Sequence, residues 1–146
     1  MRLQNPRIRI LVLIGAFFLG VSSVYAEIAE EHYNSGNAYY KQGKYDQAIS
    51  EYTKAIVINP NLAQAYNNRA GAYIHKGNYE QATLDCTKAI ELQPDYAYAY
   101  NNRAAAYYDR KEYAKAWADV HKAEELGQPV DSDFLKMLKK ASGKNK

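Results

Sequence analysis

Residues 63–96, AQAYNNRAGAYIHKGNYEQATLDCTKAIELQPDY, and residues 97–130, AYAYNNRAAAYYDRKEYAKAWADVHKAEELGQPV, are one 34-residue segment written twice. Residues 29–62, AEEHYNSGNAYYKQGKYDQAISEYTKAIVINPNL, form a third, more divergent copy, and no linker separates the three. A segment this short buries too little apolar surface to hold a core of its own. Copies must therefore share a core with their neighbours, which restricts the chain to a stacked array.

The pattern inside each copy fixes what is stacked. Counting from the first residue of a copy, position 4 holds His32, Tyr66 or Tyr100, position 8 holds Gly36, Ala70 or Ala104, and position 11 holds Tyr39, Tyr73 or Tyr107. Steps of four and three place these on one face of a helix. Position 20 (Ala48, Ala82, Ala116), position 24 (Tyr52, Cys86, Val120) and position 27 (Ala55, Ala89, Ala123) mark a second helix in the same way. Gly43 and Gly77 break the chain between the two, and Asn59-Pro60 and Gln93-Pro94 end the second helix. The small residues at positions 8, 20 and 27 let the two backbones approach closely.

This 34-residue period and its residues resemble the tetratricopeptide repeat. The resemblance covers residues 29–130 and implies an all-α fold, a right-handed superhelical solenoid of three helix-turn-helix hairpins. The third copy departs from the pattern, with Lys111 in place of the turn glycine and Glu124 in place of Ile56 and Ile90, as the end of an array does. After it, Phe134, Leu135, Leu138 and Ala141 fall on one face of a final helix that Ser132 is placed to cap. The reading divides the chain into a signal peptide at 1–26, a repeat domain at 27–130, and a capping helix with a basic tail at 131–146.

Function is expected on the face of each first helix that does not pack. In the family this side lines a concave groove that holds a peptide, and it comprises positions 2, 5, 6, 9, 12 and 13. In this chain the groove residues are Tyr33, Asn34, Asn37, Tyr40 and Lys41 of copy one, Gln64, Asn67, Asn68 and His75 of copy two, and Tyr98, Asn101, Asn102, Tyr108 and Asp109 of copy three. Asparagine amides can pair with any extended backbone, and tyrosine adds rigid contact area. On that reading, replacing Asn68 and Asn102 by alanine should weaken binding and leave folding nearly intact. The carboxylate clamp of chaperone-tail binders needs cations at position 5 of copy one and positions 2 and 6 of copy three. Here those places hold Tyr33, Tyr98 and Asn102, although Asn37 and Asn68 match the clamp. Each missing charge-assisted hydrogen bond removes about 1.5–3 kcal/mol.

No catalytic constellation is present in the sequence. It has no Gly-rich phosphate loop and no G-x-S-x-G, and His32, His75 and His121 fall at unrelated repeat positions without metal-ligand spacing. Neither enzyme activity nor a cofactor or metal is expected. The lone cysteine, Cys86, replaces a core residue of the pattern and is expected to be buried. Arg69 and Arg103 at position 7 occur with Asp85 and Asp119 at position 23, so each pair is expected to tie the two helices of its hairpin together.

Export is read from the N-terminus. Arg2, Arg7 and Arg9 precede an apolar run from Ile10 to Val21, and Val24-Tyr25-Ala26 offers a small-residue cleavage site. The run is shorter than the ~20 residues of a membrane span. The 19 Lys and Arg face 16 Asp and Glu; the three arginines before residue 27 meet no acid there, which leaves the mature chain balanced at 16 each. A neutral body has no general attraction for nucleic acid or anionic lipid. The expected partner is a protein or peptide, with self-association or an accessory role in an envelope complex as alternatives. The expected compartment is the bacterial periplasm, with secretion as an alternative, or a membrane tether if the signal is retained. N-terminal sequencing of the exported protein should read from Glu27; a chain still beginning at Met1 would refute the cleavage.

Overall fold

A computed structural model describes residues 6–143, with side chains from Ser23 onward. Among these residues there are seven helices and no strands. Helix α1 spans Pro6–Lys41, α2 Tyr45–Ile58, α3 Ala63–His75, α4 Tyr79–Leu92, α5 Ala97–Asp109, α6 Tyr113–Glu125 and α7 Ser132–Ala141. Residues 6–26 of the segment assigned to the signal peptide and the first helix of copy one are thus one continuous helix. No helix of the described residues is long and apolar enough to cross a membrane; the side chains of the run Ile10–Val21 lie outside them.

Helices pair as α1 with α2, α3 with α4 and α5 with α6, and each second helix packs on the first helix of the next pair. First helices also touch directly, α1 with α3 and α3 with α5, whereas the second helices make no comparable contact with one another. The array therefore bends toward its first helices, whose unpacked faces line the inside of the curve.

The core is built mostly of alanine, because close approach of backbones leaves little room for larger side chains. Ala48, Ala55, Ala82, Ala89, Ala116 and Ala123 of the second helices and Ala65, Ala70, Ala72, Ala99, Ala104 and Ala106 of the first are all completely buried. Each hairpin is closed by the next. Ala72 of α3 completes the cluster around Ala48 and Tyr52, and Ala106 of α5 completes the one around Ala70, Ala82 and Cys86. Leu138 of α7 then closes the last cluster, around Ala104, Ala116 and Val120. Helix α7 begins 35 residues after the start of α5 and occupies positions 2 to 11 of the next 34-residue period. Cys86 is fully buried, as its place in the repeat required.

Two local details refine the sequence reading. The cap of α7 is Asp131, whose carboxylate accepts from the backbone N–H groups of Asp133 and Phe134; Ser132 is the first helical residue. A carboxylate at this place also meets the positive end of the helix. Second, Lys111 adopts φ 62° where Gly43 and Gly77 stand at 71° and 73°. The third turn keeps its left-handed geometry without glycine, at a cost of about 1 kcal/mol.

Volume is balanced across the first hairpin. A Cβ on Gly36 would lie 2.5 Å from the ring of Tyr52, which is 1% exposed. In the other copies position 8 is alanine and its partner shrinks to Cys86 or Val120. Gly36→Ala should therefore destabilise the fold by about 1–3 kcal/mol through overpacking, despite alanine's higher helix propensity. A denaturant midpoint equal to or above the parent's would contradict this packing.

Candidate functional site

The inner face holds a cleft of 390 Å³ lined by Asn37, Tyr40, Lys41, Tyr52, Asn67, Asn68, Gly71 and Asn102. Three first helices and one second helix contribute, so only the stacked array creates it. Six of the sequence-predicted groove residues meet here: Asn37, Tyr40, Lys41, Asn67, Asn68 and Asn102.

The asparagines bond mainly to one another. Asn68 Nδ2 donates to Asn37 Oδ1 at 2.8 Å and to Tyr33 Oη at 3.2 Å, linking α3 to α1. Asn102 Nδ2 donates to Asn67 Oδ1 at 2.9 Å, linking α5 to α3 by the same relation, position 6 of one copy to position 5 of the copy before. Asn67 Nδ2 joins the two links through Asn68 Oδ1 at 3.1 Å, and lies 3.4 Å from Tyr96 Oη. Tyr52 Oη donates to Asn37 Oδ1 at 2.8 Å. Burial pushes the Tyr52 phenol well above its usual range, so it remains a donor throughout the physiological range. The result is a ladder of amides across the inner face. Sequence alone assigned these groups to a ligand; much of their capacity is spent holding the repeats in register.

The remaining predicted residues occupy different surroundings. Tyr33 belongs to the ladder through its hydroxyl. Asn34 is exposed and reaches only Glu30, at 3.5 Å. Gln64 is exposed on α3. His75 stacks on Tyr45 at 4.5 Å with the rings 4° from parallel, and Tyr40 meets both edge-on. Tyr98 is 57% exposed and touches Tyr96 edge-on. Asn101 turns its Oδ1 into the interior, with no partner among the described residues. Tyr108 packs on Tyr113 and on Phe134 of α7, so it seats the cap. Asp109 is exposed at the end of α5, with partial burial raising its carboxyl above the usual range.

Tyr52 and Tyr96 were missed, whereas Gly71 stands at position 9 of copy two, on the face that the repeat register assigned to the groove. Tyr52 arrives from a second helix, where the repeat pattern offers only core positions; its sole sequence signal is its pairing with Gly36. Tyr96 precedes the copy whose groove it serves.

The arginines do what their co-occurrence implied and one thing more. Arg69 grips Asp85 with two hydrogen bonds of 2.7 and 2.8 Å, and Arg103 grips Asp119 with two of 2.8 Å. Each also donates through Nη1 to a threonine of the preceding hairpin, Thr53 at 2.9 Å and Thr87 at 3.1 Å. Burial opposes the Arg69 charge, but its carboxylate partner outweighs this and holds the guanidinium above its usual range. One side chain thus fixes three helices. A half-buried pair of this kind adds little net stability but sets geometry.

Models described as TPR repeat and tetratricopeptide repeat match residues 36–77, 63–96 and 86–118. The first TPR of Spaghetti (RPAP3) bound to HSP90 peptide SRMEEVD is 34% identical, with a TM-score of 0.74 over 81% of this chain and 93% of that one. The first TPR domain of human RPAP3 is also 34% identical, with a TM-score of 0.73 over 81% and 92% of the two chains. The TPR2B domain of yeast Sti1, in its pHsp70 complex, is 31% identical, with a TM-score of 0.72 over 82% and 99%. A curated relative, the Hsp70-Hsp90 organising protein of Plasmodium falciparum (isolate 3D7), is 56% identical over 32 residues, and the match spans 6% of that protein's length.

Asn68→Ala should lower stability by about 1–3 kcal/mol, since it removes two donated bonds and leaves ladder partners short. Asn34→Ala should change it by less than about 0.5 kcal/mol. Equal unfolding midpoints for the two variants would show that the ladder does not hold the repeats.

The length of the period, the buried small residues and the hairpin stack agree with these matches, and the chain belongs to the tetratricopeptide repeat family.

Proposed function

We propose that the chain is an exported, non-catalytic adaptor that binds an extended segment of a partner protein along its inner face. The observation that carries this reading is the cleft itself: a preformed concavity in whose lining Lys41 is unengaged by the ladder, with Tyr98 exposed on α5, the helix that supplies Asn102. Its lining holds no histidine, cysteine or carboxylate. Related domains seen with HSP90 and Hsp70 peptides use the same fold to hold peptides.

The partner differs from a doubly acidic chaperone tail. Of the three places where a carboxylate clamp needs a cation, Tyr33 accepts from Asn68, Asn102 is tied to Asn67, and Tyr98 is an exposed ring. Stacking of copies end to end is opposed by Glu31, exposed at position 3, where Ala65 and Ala99 are completely buried. Burying an unpaired carboxylate at such an interface costs several kcal/mol. On the outer helices α2 and α4, Val57 and Leu84 stand exposed, 74% and 59%. They hold different repeat positions, 29 and 22, and form no repeated patch.

Export is supported by the exposed side chains of α1. Val24 and Tyr25 are 54% and 58% exposed, and cleavage after Ala26 would remove both, leaving Ala29 as the first buried residue.

A photocrosslinker placed at Tyr98 should capture a partner in the native compartment, and one placed at Val57 should not. The double variant Lys41→Gln, Tyr98→Ala should reduce binding of that partner at least tenfold without shifting the unfolding midpoint. Capture from Val57 alone, or recovery of self-crosslinked chain only, would move the function to the outer face or to self-assembly.

A further inference from the structure

Gly71 lies in the middle of α3 with no steric reason to be glycine. Its φ is not positive, and the three atoms nearest a Cβ built on it all belong to Tyr40, Oη at 3.4 Å and two ring carbons at 3.6 and 3.7 Å. These are ordinary contacts, unlike the 2.5 Å clash that explains Gly36. The other copies carry Asn37 and Ala105 at this position, so the repeat accommodates a side chain there. Glycine inside a helix is destabilising relative to alanine. What it provides is depth, because Gly71 lies in the lining of the 390 Å³ cleft.

The groups facing this recess define what it suits. Lys41 is the one charged residue in the lining, and it forms no ion pair among the described residues. The Tyr40 hydroxyl makes no hydrogen bond among the described residues, and Asn102 uses one Nδ2 proton on Asn67 and keeps the other. Asn68 has both protons committed. With the Nδ2 of Asn37, whose Oδ1 alone is bonded, four side chains keep a spare donor, one of them cationic, around a hollow whose lining contains no carboxylate. An acceptor-rich anionic group complements that set, and a charge-assisted bond to Lys41 is the strongest contact on offer.

We infer that the recess over Gly71 receives one acidic side chain of the bound segment, its carboxylate held by the Lys41 ammonium with the Tyr40 hydroxyl and the Asn102 amide. The inference rests on the groove reading above and narrows it: the ligand is an internal segment with a single Asp or Glu in an otherwise uncharged stretch.

The test is selection from a random nonapeptide library, displayed so that no free C-terminus is presented, against the whole protein. The expected consensus has Asp or Glu at one position, and replacing it by Asn or Gln in the synthetic peptide should weaken binding at least fivefold. Gly71→Ala should weaken binding at least fivefold while raising the unfolding midpoint, a combination that a purely structural glycine would not give. Lys41→Gln should abolish the preference for acid over amide. If peptides bind in the groove, so that Lys41→Gln, Tyr98→Ala reduces their affinity, but Gly71→Ala leaves it unchanged or the consensus is aromatic, the recess inference fails and the groove reading stands. If no peptide is enriched, or the double variant has no effect, both fail.

Discussion

Everything in this molecule depends on the inability of one helical hairpin to cover its own apolar surface. Ala48, Tyr52 and their neighbours on α1 and α2 remain open until Ala72 of α3 closes over them, and the same closure recurs with Ala106 and finally with Leu138. Hydrophobic contact supplies the attraction but has no direction. Direction comes from the arginines, each bidentate to its own hairpin and singly bonded to the hairpin before. Small residues set how close the helices come, and the guanidinium forks set the angle.

The inner face is a consequence of that stacking. Once α1, α3 and α5 are brought side by side, the amides at position 6 of the later copies fall within hydrogen-bonding distance of polar groups of the copy before, Asn68 of Asn37 and Tyr33, and Asn102 of Asn67. They would be costly to bury unpaired, and pairing them produces the ladder. The groove is therefore rigid before any ligand arrives, which lowers the ordering cost of binding. What remains available is a rim of exposed side chains and the hollow above Gly71. The sides of the array thus divide labour: the interior joins the copies, and the bend exposes one continuous inner surface.

Much of the fold could be read from the sequence, because a triplicated pattern reports the same contacts three times. Position 7 with position 23 announced the ion pairs, and Cys86 was placed in the core by the company it keeps at position 24. The site was less legible. Periodicity assigns a residue to a face, but two groups on one face can bond to a ligand or to each other. Asn68 and Asn102 were read as ligand contacts, and distance shows them bonded to Asn37 and Asn67. Tyr52 escaped notice since it crosses from the core into the groove, a path no helical spacing reveals. Asp131 caps α7 in place of Ser132 because a carboxylate and a hydroxyl one residue apart are both acceptable caps by sequence.

The central claim is that the amide ladder holds the groove in shape in the free protein. Hydrogen exchange of the side-chain amides, followed by NMR on the unliganded protein, tests it most directly. The account predicts slow exchange for both Nδ2 protons of Asn68 and for one of Asn102, against fast exchange for the second proton of Asn102 and for Asn34. Exchange of Asn68 as fast as that of Asn34 would contradict it, and the groove would then be shaped by its ligand instead of by its repeats.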